Sequence, residues 1–148
     1  MNPLTVMFGD KDNEPCLIVE VMGYEHPDTA EPANLDLLRC RVTARAGPAA
    51  GVFDIAIRLS ELLEVRDYLG EINSGNGPSQ TFVLAGGLLS LAFAPTRRGP
   101  VLCVVLLKTI DASHVRLEFL LTLEPQDLSR AFMRLSQLQV TAGNSLGD

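Results

Sequence analysis

Glu25, His26, Asp28 and Glu31, in "GYEHPDTAEP", are the residues whose types come nearest to a reaction site. An imidazole among carboxylates is a mixed nitrogen and oxygen donor set for a divalent metal, and imidazole changes charge near neutral pH. Such a site also needs an outer layer of hydrogen bonds to hold its ligands in place. A loop containing Pro27 and Pro32 supplies none that the sequence can show, so no metal or cofactor is expected. The same acids would suit a carboxylate hydrolase only if two of them stood at a defined separation. Sequence spacing does not set that separation. The second histidine, His114, reads as a surface residue on the polar side of a strand, beside Arg116 and Glu118.

The motif census points away from catalysis. GxGxxG, GxxxxGK[ST], GxSxG and HExxH do not occur, and "NSGNGPS" lacks the lysine and the strand-to-helix setting of a phosphate loop, so it reads as a linker. Cys16, Cys40 and Cys103 fall inside apolar, strand-like segments without metal-type spacing. An odd number of such thiols, behind a start with no basic and apolar leader pattern, fits a reducing, cytoplasmic compartment. The longest apolar run, residues 101 to 107, is strand-sized, far short of the roughly 18 residues of a membrane span. The expectation is a non-enzymatic protein without membrane contact.

Charge is unevenly distributed. Up to Leu38 the chain carries eight acids and one base, a net −7, and the remainder carries ten acids and eleven bases. The negative excess therefore sits in the first quarter, and it suits a basic partner. Arg39, Arg41 and Arg45 form a short basic row. Nucleic acid is not expected, because phosphate contacts need a broader basic surface than a chain of pI 4.8 offers.

The elements that must position these residues are legible from periodicity. Residues 16 to 22 read as a strand; residues 37 to 45 alternate Leu38, Cys40, Val42 and Ala44 with the arginines and Thr43. A turn at "AGPAAG" leads to a strand with Phe53, Ile55, Ile57 and Leu59 inward, which makes a hairpin and puts Asp54 near the outward arginines. Ser60 is placed as the N-cap of a helix over residues 60 to 72, whose stripe is Leu62, Val65, Leu69 and Ile72. The second half repeats that order: strands at 79 to 85, 88 to 94, 101 to 110 and 115 to 121, then a helix with Pro125 in its first turn and Leu128, Phe132, Leu135 and Leu138 along one side. Residues 101 to 107, apolar on both faces, predict a central strand covered twice; with one cover only, the other face becomes a dimer surface.

The fold class expected is α+β: about eight antiparallel strands in one curved or two packed sheets, with two amphipathic helices. The chain reads as one domain over residues 1 to 148, with half-repeats at 1 to 74 and 75 to 139 and a flexible tail at 140 to 148.

"GYEHPD", "ANLDLLRCRV", "GVFDIAIRLSELLEVRDYL" and the closing "LEFLLTLEPQDLSRAFMRLSQL" resemble the WapI-like group of small bacterial proteins, named for an immunity protein that neutralises a contact-dependent toxin. The likeness runs over residues 16 to 139 and includes Gly23, Tyr24, Pro27, Leu59, Glu61 and Leu62. It implies stoichiometric binding of a basic protein toxin, with no catalytic residue. On that reading Glu25, Asp28, Glu31 and Asp36 are electrostatic contacts, and Tyr24 is an aromatic anchor where it is exposed. The alternatives are packing of Tyr24 at a strand end, a homodimeric structural domain, and a metal-dependent or carboxylate hydrolase.

Overall fold

A computed structural model describes residues 4–10, 13–25, 36–73, 77–109 and 114–144, with backbone only at 10, 13, 14 and 139–144. Alternating apolar residues form eight strands: β1 Leu4–Asp10, β2 Asn13–Tyr24, β3 Leu37–Ala46, β4 Ala49–Arg58, β5 Gln80–Leu84, β6 Leu89–Ala94, β7 Val101–Lys108 and β8 Arg116–Leu123. Helix α1, Leu59–Ile72, follows β4, and helix α2, Pro125–Asn144, follows β8. The strands make two antiparallel sheets in meander order, β1-β2-β3-β4 and β5-β6-β7-β8. Each half is thus four strands and a helix.

The inward residues of both sheets and the helix stripes belong to one continuous core. Its seam is aromatic. Tyr68 of α1 lies 5.4 Å from Phe82 of β5 and 5.3 Å from Phe93 of β6, centroid to centroid, so the helix of the first half seats on the sheet of the second. Such ring pairs add about 0.5–1.5 kcal/mol each beyond the area they bury. In exchange, α2 lies along β1, the edge of the first sheet. The two helices meet at Gly70, where a methyl group would come within 2.8 Å of the Phe132 ring.

Both helices begin with the same device. The third helical residue turns its carboxylate back to the N-cap amide: Arg58 N–H donates to Glu61 Oε1 at 2.9 Å, and Glu124 N–H to Asp127 Oδ2 at 2.9 Å. The N-cap of α1 is therefore Arg58, not Ser60, whose hydroxyl donates instead to Asp36 Oδ2 at 3.2 Å. Arginine carries no acceptor, so only the carboxylate half of a capping box is present. The turn after β5 holds Ala85, Gly86 and Gly87 at φ 54°, 65° and 99°, the left-handed region that glycine occupies without strain.

Three further expectations are corrected. β7 does lie between β6 and β8, but it is covered once, because Val104 is 39% exposed on the outer face. A run apolar on both sides had implied two covers; both helices instead sit with the shared core. The tail expected from residue 140 is helical as far as Asn144. His114 is exposed as anticipated, but it precedes β8 at φ 49° and does not alternate within a strand.

The one-sided cover of the second sheet predicts opposite outcomes for adjacent residues of β8. Leu121 is fully buried and Thr122 exposed. Leu121→Ala should cost about 2–5 kcal/mol in urea unfolding, and Thr122→Ala about 0.5 kcal/mol or less.

Candidate protein-binding surfaces

The acidic first quarter divides at the end of β2. His26, Asp28 and Glu31 lie outside the described residues. Tyr24 is half-buried and packs against the core beside Leu38, its partner on β3, so its ring is a strand-end packing group. Glu25 is exposed; its amide donates to Leu37 O at 2.8 Å, and its side chain borders a recess of about 170 Å³ shared with Arg39, Asp54, Ile55 and Ala56.

Asp36 has a different role. Its Oδ1 accepts from Arg58 Nη1 at 2.7 Å, its Oδ2 from Ser60, and its backbone oxygen from the amide of Leu59 at 2.8 Å. The first amide of α1 and both flanking side chains converge on this one residue. A carboxylate there also meets the positive end of the helix dipole. Asp36 ties the entry of β3 to the start of α1.

The outer face of the first sheet is a charged lattice. Glu20, Arg41 and Asp54 stand opposite one another on β2, β3 and β4, with Arg41 Nε 3.2 Å from Asp54 Oδ1. The hairpin pairing of Asp54 with the arginine row is thus as the sequence predicted. Alternating sign across the strands breaks up the basic row Arg39, Arg41 and Arg45.

A second acidic surface lies on α1. Glu64, Asp67 and Glu71, spaced by three and four, are exposed along one side of the helix. They border an open recess of about 360 Å³ against β5, with Tyr68, Gln80 and Phe82. The base of the recess is fixed: Tyr68 Oη donates to Pro78 O at 2.6 Å, and burial, followed by the nearby Cys103 and Glu71, pushes that hydroxyl's pKa up. Arg66 partly offsets the row through Asp67 Oδ1 at 2.7 Å. Their helical spacing within residues 60 to 72 marks them as one face, which the apolar stripe alone does not reveal as a surface beside β5.

Among the described residues, no group of three or more His, Cys, Asp or Glu gathers as metal ligands do, and no helix is long and apolar enough to cross a membrane. A recess of about 340 Å³ at the start of α2 carries Arg97 and Arg98 on one wall and Glu124 on another. All three cysteines are buried thiols outside any disulfide, and burial raises the pKa of Cys40 and Cys103 from 9.0 to about 12. Compared with known proteins, the chain matches no family model, no curated protein and no solved structure.

Two predictions follow from these placements. Asp36→Ala should lower stability by about 1 kcal/mol, the worth of half-exposed ionic hydrogen bonds, and Glu25→Ala by much less, both read by thermal or urea unfolding. In the unfolded chain thiols ionise from pH 9.0, whereas folded Cys40 and Cys103 keep their protons to about 12. The unfolded state then binds fewer protons, so stability should be unaffected by these groups below pH 9 and fall above it, by up to about 1.4 kcal/mol per pH unit for each thiol. The native protein should correspondingly resist thiol reagents at pH 8 and react only when urea is added.

Proposed function

We propose that the chain is a non-catalytic protein-binding domain that takes a basic partner onto its acidic surface. The observation that carries this reading is the exposed row Glu64, Asp67 and Glu71 on α1, beside a recess whose inner side is aromatic. Carboxylates around an apolar floor offer a basic protein both long-range attraction and a place to bury a side chain. The seven excess negative charges up to Leu38 add to the chain's net attraction for a basic partner.

The resemblance to the WapI-like group supports a narrower form: a bacterial, cytoplasmic immunity protein that covers the basic substrate path of a toxin in a one-to-one complex. Inhibition then needs occupancy and no reacting group. Glu25, Asp28 and Glu31 would add to the field on this reading. Asp36 contributes through the start of α1 that it holds, and Tyr24 through the packing that sets the strand end.

The test is capture of partners from a bacterial lysate on immobilised protein at about 0.1 M and about 1 M salt, between which the screening length falls from about 10 Å to about 3 Å. The expected result is a basic protein retained at low salt, released at high salt, and lost when Glu64→Gln, Asp67→Asn and Glu71→Gln are combined. The combination Glu25→Gln, Asp28→Asn and Glu31→Gln should weaken capture further if the first quarter takes part. Retention that survives high salt and both triple variants would refute the acidic-surface reading. A captured toxin whose activity persists in a one-to-one mixture would refute the immunity form alone.

A further inference from the structure

The second sheet has one face in the core and one bare. On the bare face Val83, Ala92, Leu102, Val104, Leu106 and Leu120 are brought together by the register of β5 to β8, Ala92 facing Val104 and Val104 facing Leu120. Val83 is 61%, Val104 39% and Leu120 49% exposed. Charge is confined to one corner, where Lys108 and Arg116 lie opposite each other and Arg116 Nη2 is 3.1 Å from Glu118 Oε2. The paired backbone groups are spent in the ladder, so this face offers mainly apolar contact, with the hydroxyls of Thr81, Ser90 and Thr122 among its apolar side chains.

We propose that this face is the contact surface of a two-fold homodimer, in which a second copy of the chain lays the same sheet against it. Size and charge both favour that occupant. Strands of five, six, eight and eight residues, about 4.8 Å apart and rising about 3.4 Å per residue, present roughly 440 Å² per copy, so a face-to-face pair buries roughly 900 Å², the size of a weak, transient interface. A reversible, concentration-dependent dimer is the consequence.

The chain carries a net charge of −6, with the excess in residues up to Leu38, which belong to the half that forms the first sheet. The inner faces of the two sheets share one core, so the bare face of the second sheet looks away from the charged face of the first. Among the described residues the charged side chains of the bare face are Lys108, Arg116 and Glu118, so pairing through it brings little like charge together. A basic partner would gain no Coulomb energy there, so this surface is separate from the acidic one on α1. A two-fold axis also needs only one self-complementary patch, which the apolar middle of the sheet supplies.

Sedimentation velocity of the purified chain, from about 5 μM to about 500 μM, tests the proposal in a range that brackets a weak interface. The expected mass moves from the monomer's 16.0 kDa toward twice that value, and the association persists at high salt. Val104→Lys combined with Leu120→Lys should raise the dissociation constant at least about tenfold, because a lysine buried in the contact loses its water. Val83→Lys, on the edge strand, should weaken association independently if the double variant misfolds; circular dichroism reports the fold of each. Val52→Lys, on the outer face of the first sheet and 62% exposed, should leave the constant unchanged. A monomer throughout the concentration range would overturn the proposal. So would a dimer that Val52→Lys weakens and folded Val83→Lys does not.

Discussion

The contact of Tyr68 with Phe82 and Phe93 is the interaction on which the rest of the architecture depends. Two four-stranded meanders could each fold back on their own helix, and each would be a small half-domain with little core. The chain does otherwise. α1 carries its aromatic ring to the sheet that follows it, and α2 lies along the sheet that precedes it. Each half lacks part of its cover until the other is in place, and the result is one core where there might have been two. Glu61 reinforces the link, since its Oε1 takes the amide of Arg58 and also lies 3.5 Å from that of Ala85, in the turn of the opposite half.

That arrangement decides where chemistry can occur. The three thiols are buried in the strands, and burial holds the protons of Cys40 and Cys103 on. Of the described acids in the first quarter, Asp36 is committed to the start of α1, and Glu20 stands opposite Arg41 in a lattice of alternating charge. Among the described residues the fold presents three kinds of surface: an acidic helix face, a charged sheet and an apolar sheet. These differ enough in character that each selects a different kind of contact.

Much of this was legible in the sequence because the inward face of each strand is so regular. Leu38, Cys40, Val42 and Ala44 in β3, and Val101, Cys103, Val105 and Leu107 in β7, alternate without interruption, and both helices show their stripes. β1 was not singled out, since its alternation of Val6 and Phe8 with Thr5 and Met7 is short and polar contrast is weak. The N-cap was misplaced by two residues because Arg58 is not a capping residue type and the device is Glu61 reaching back to its amide, while Ser60 is engaged by Asp36, 24 residues earlier in the chain. Whether β7 has one cover or two depends on where the helices go, and an apolar residue such as Val104 carries no mark of which side they choose. The acidic row on α1 is legible in principle through the spacing of Glu64, Asp67 and Glu71, but acids on a helix's solvent side carry no mark of which neighbouring strand they will border.

The two halves share a plan, so the difference between their outer faces is informative. The third strand of the first meander turns Arg39, Arg41, Thr43 and Arg45 outward; the third strand of the second turns Leu102, Val104, Leu106 and Lys108 outward. Strand geometry is the same in both, and inward packing asks only for apolar residues on the opposite side. Nothing in the core requires leucine or valine at 102, 104 and 106. An antiparallel sheet with one bare face ordinarily makes that face polar, as the first half does. The second half departs from its own counterpart over the middle of a four-stranded surface. Such a departure costs solubility unless the surface is covered, and that cost is the physical reason to look for a contact there.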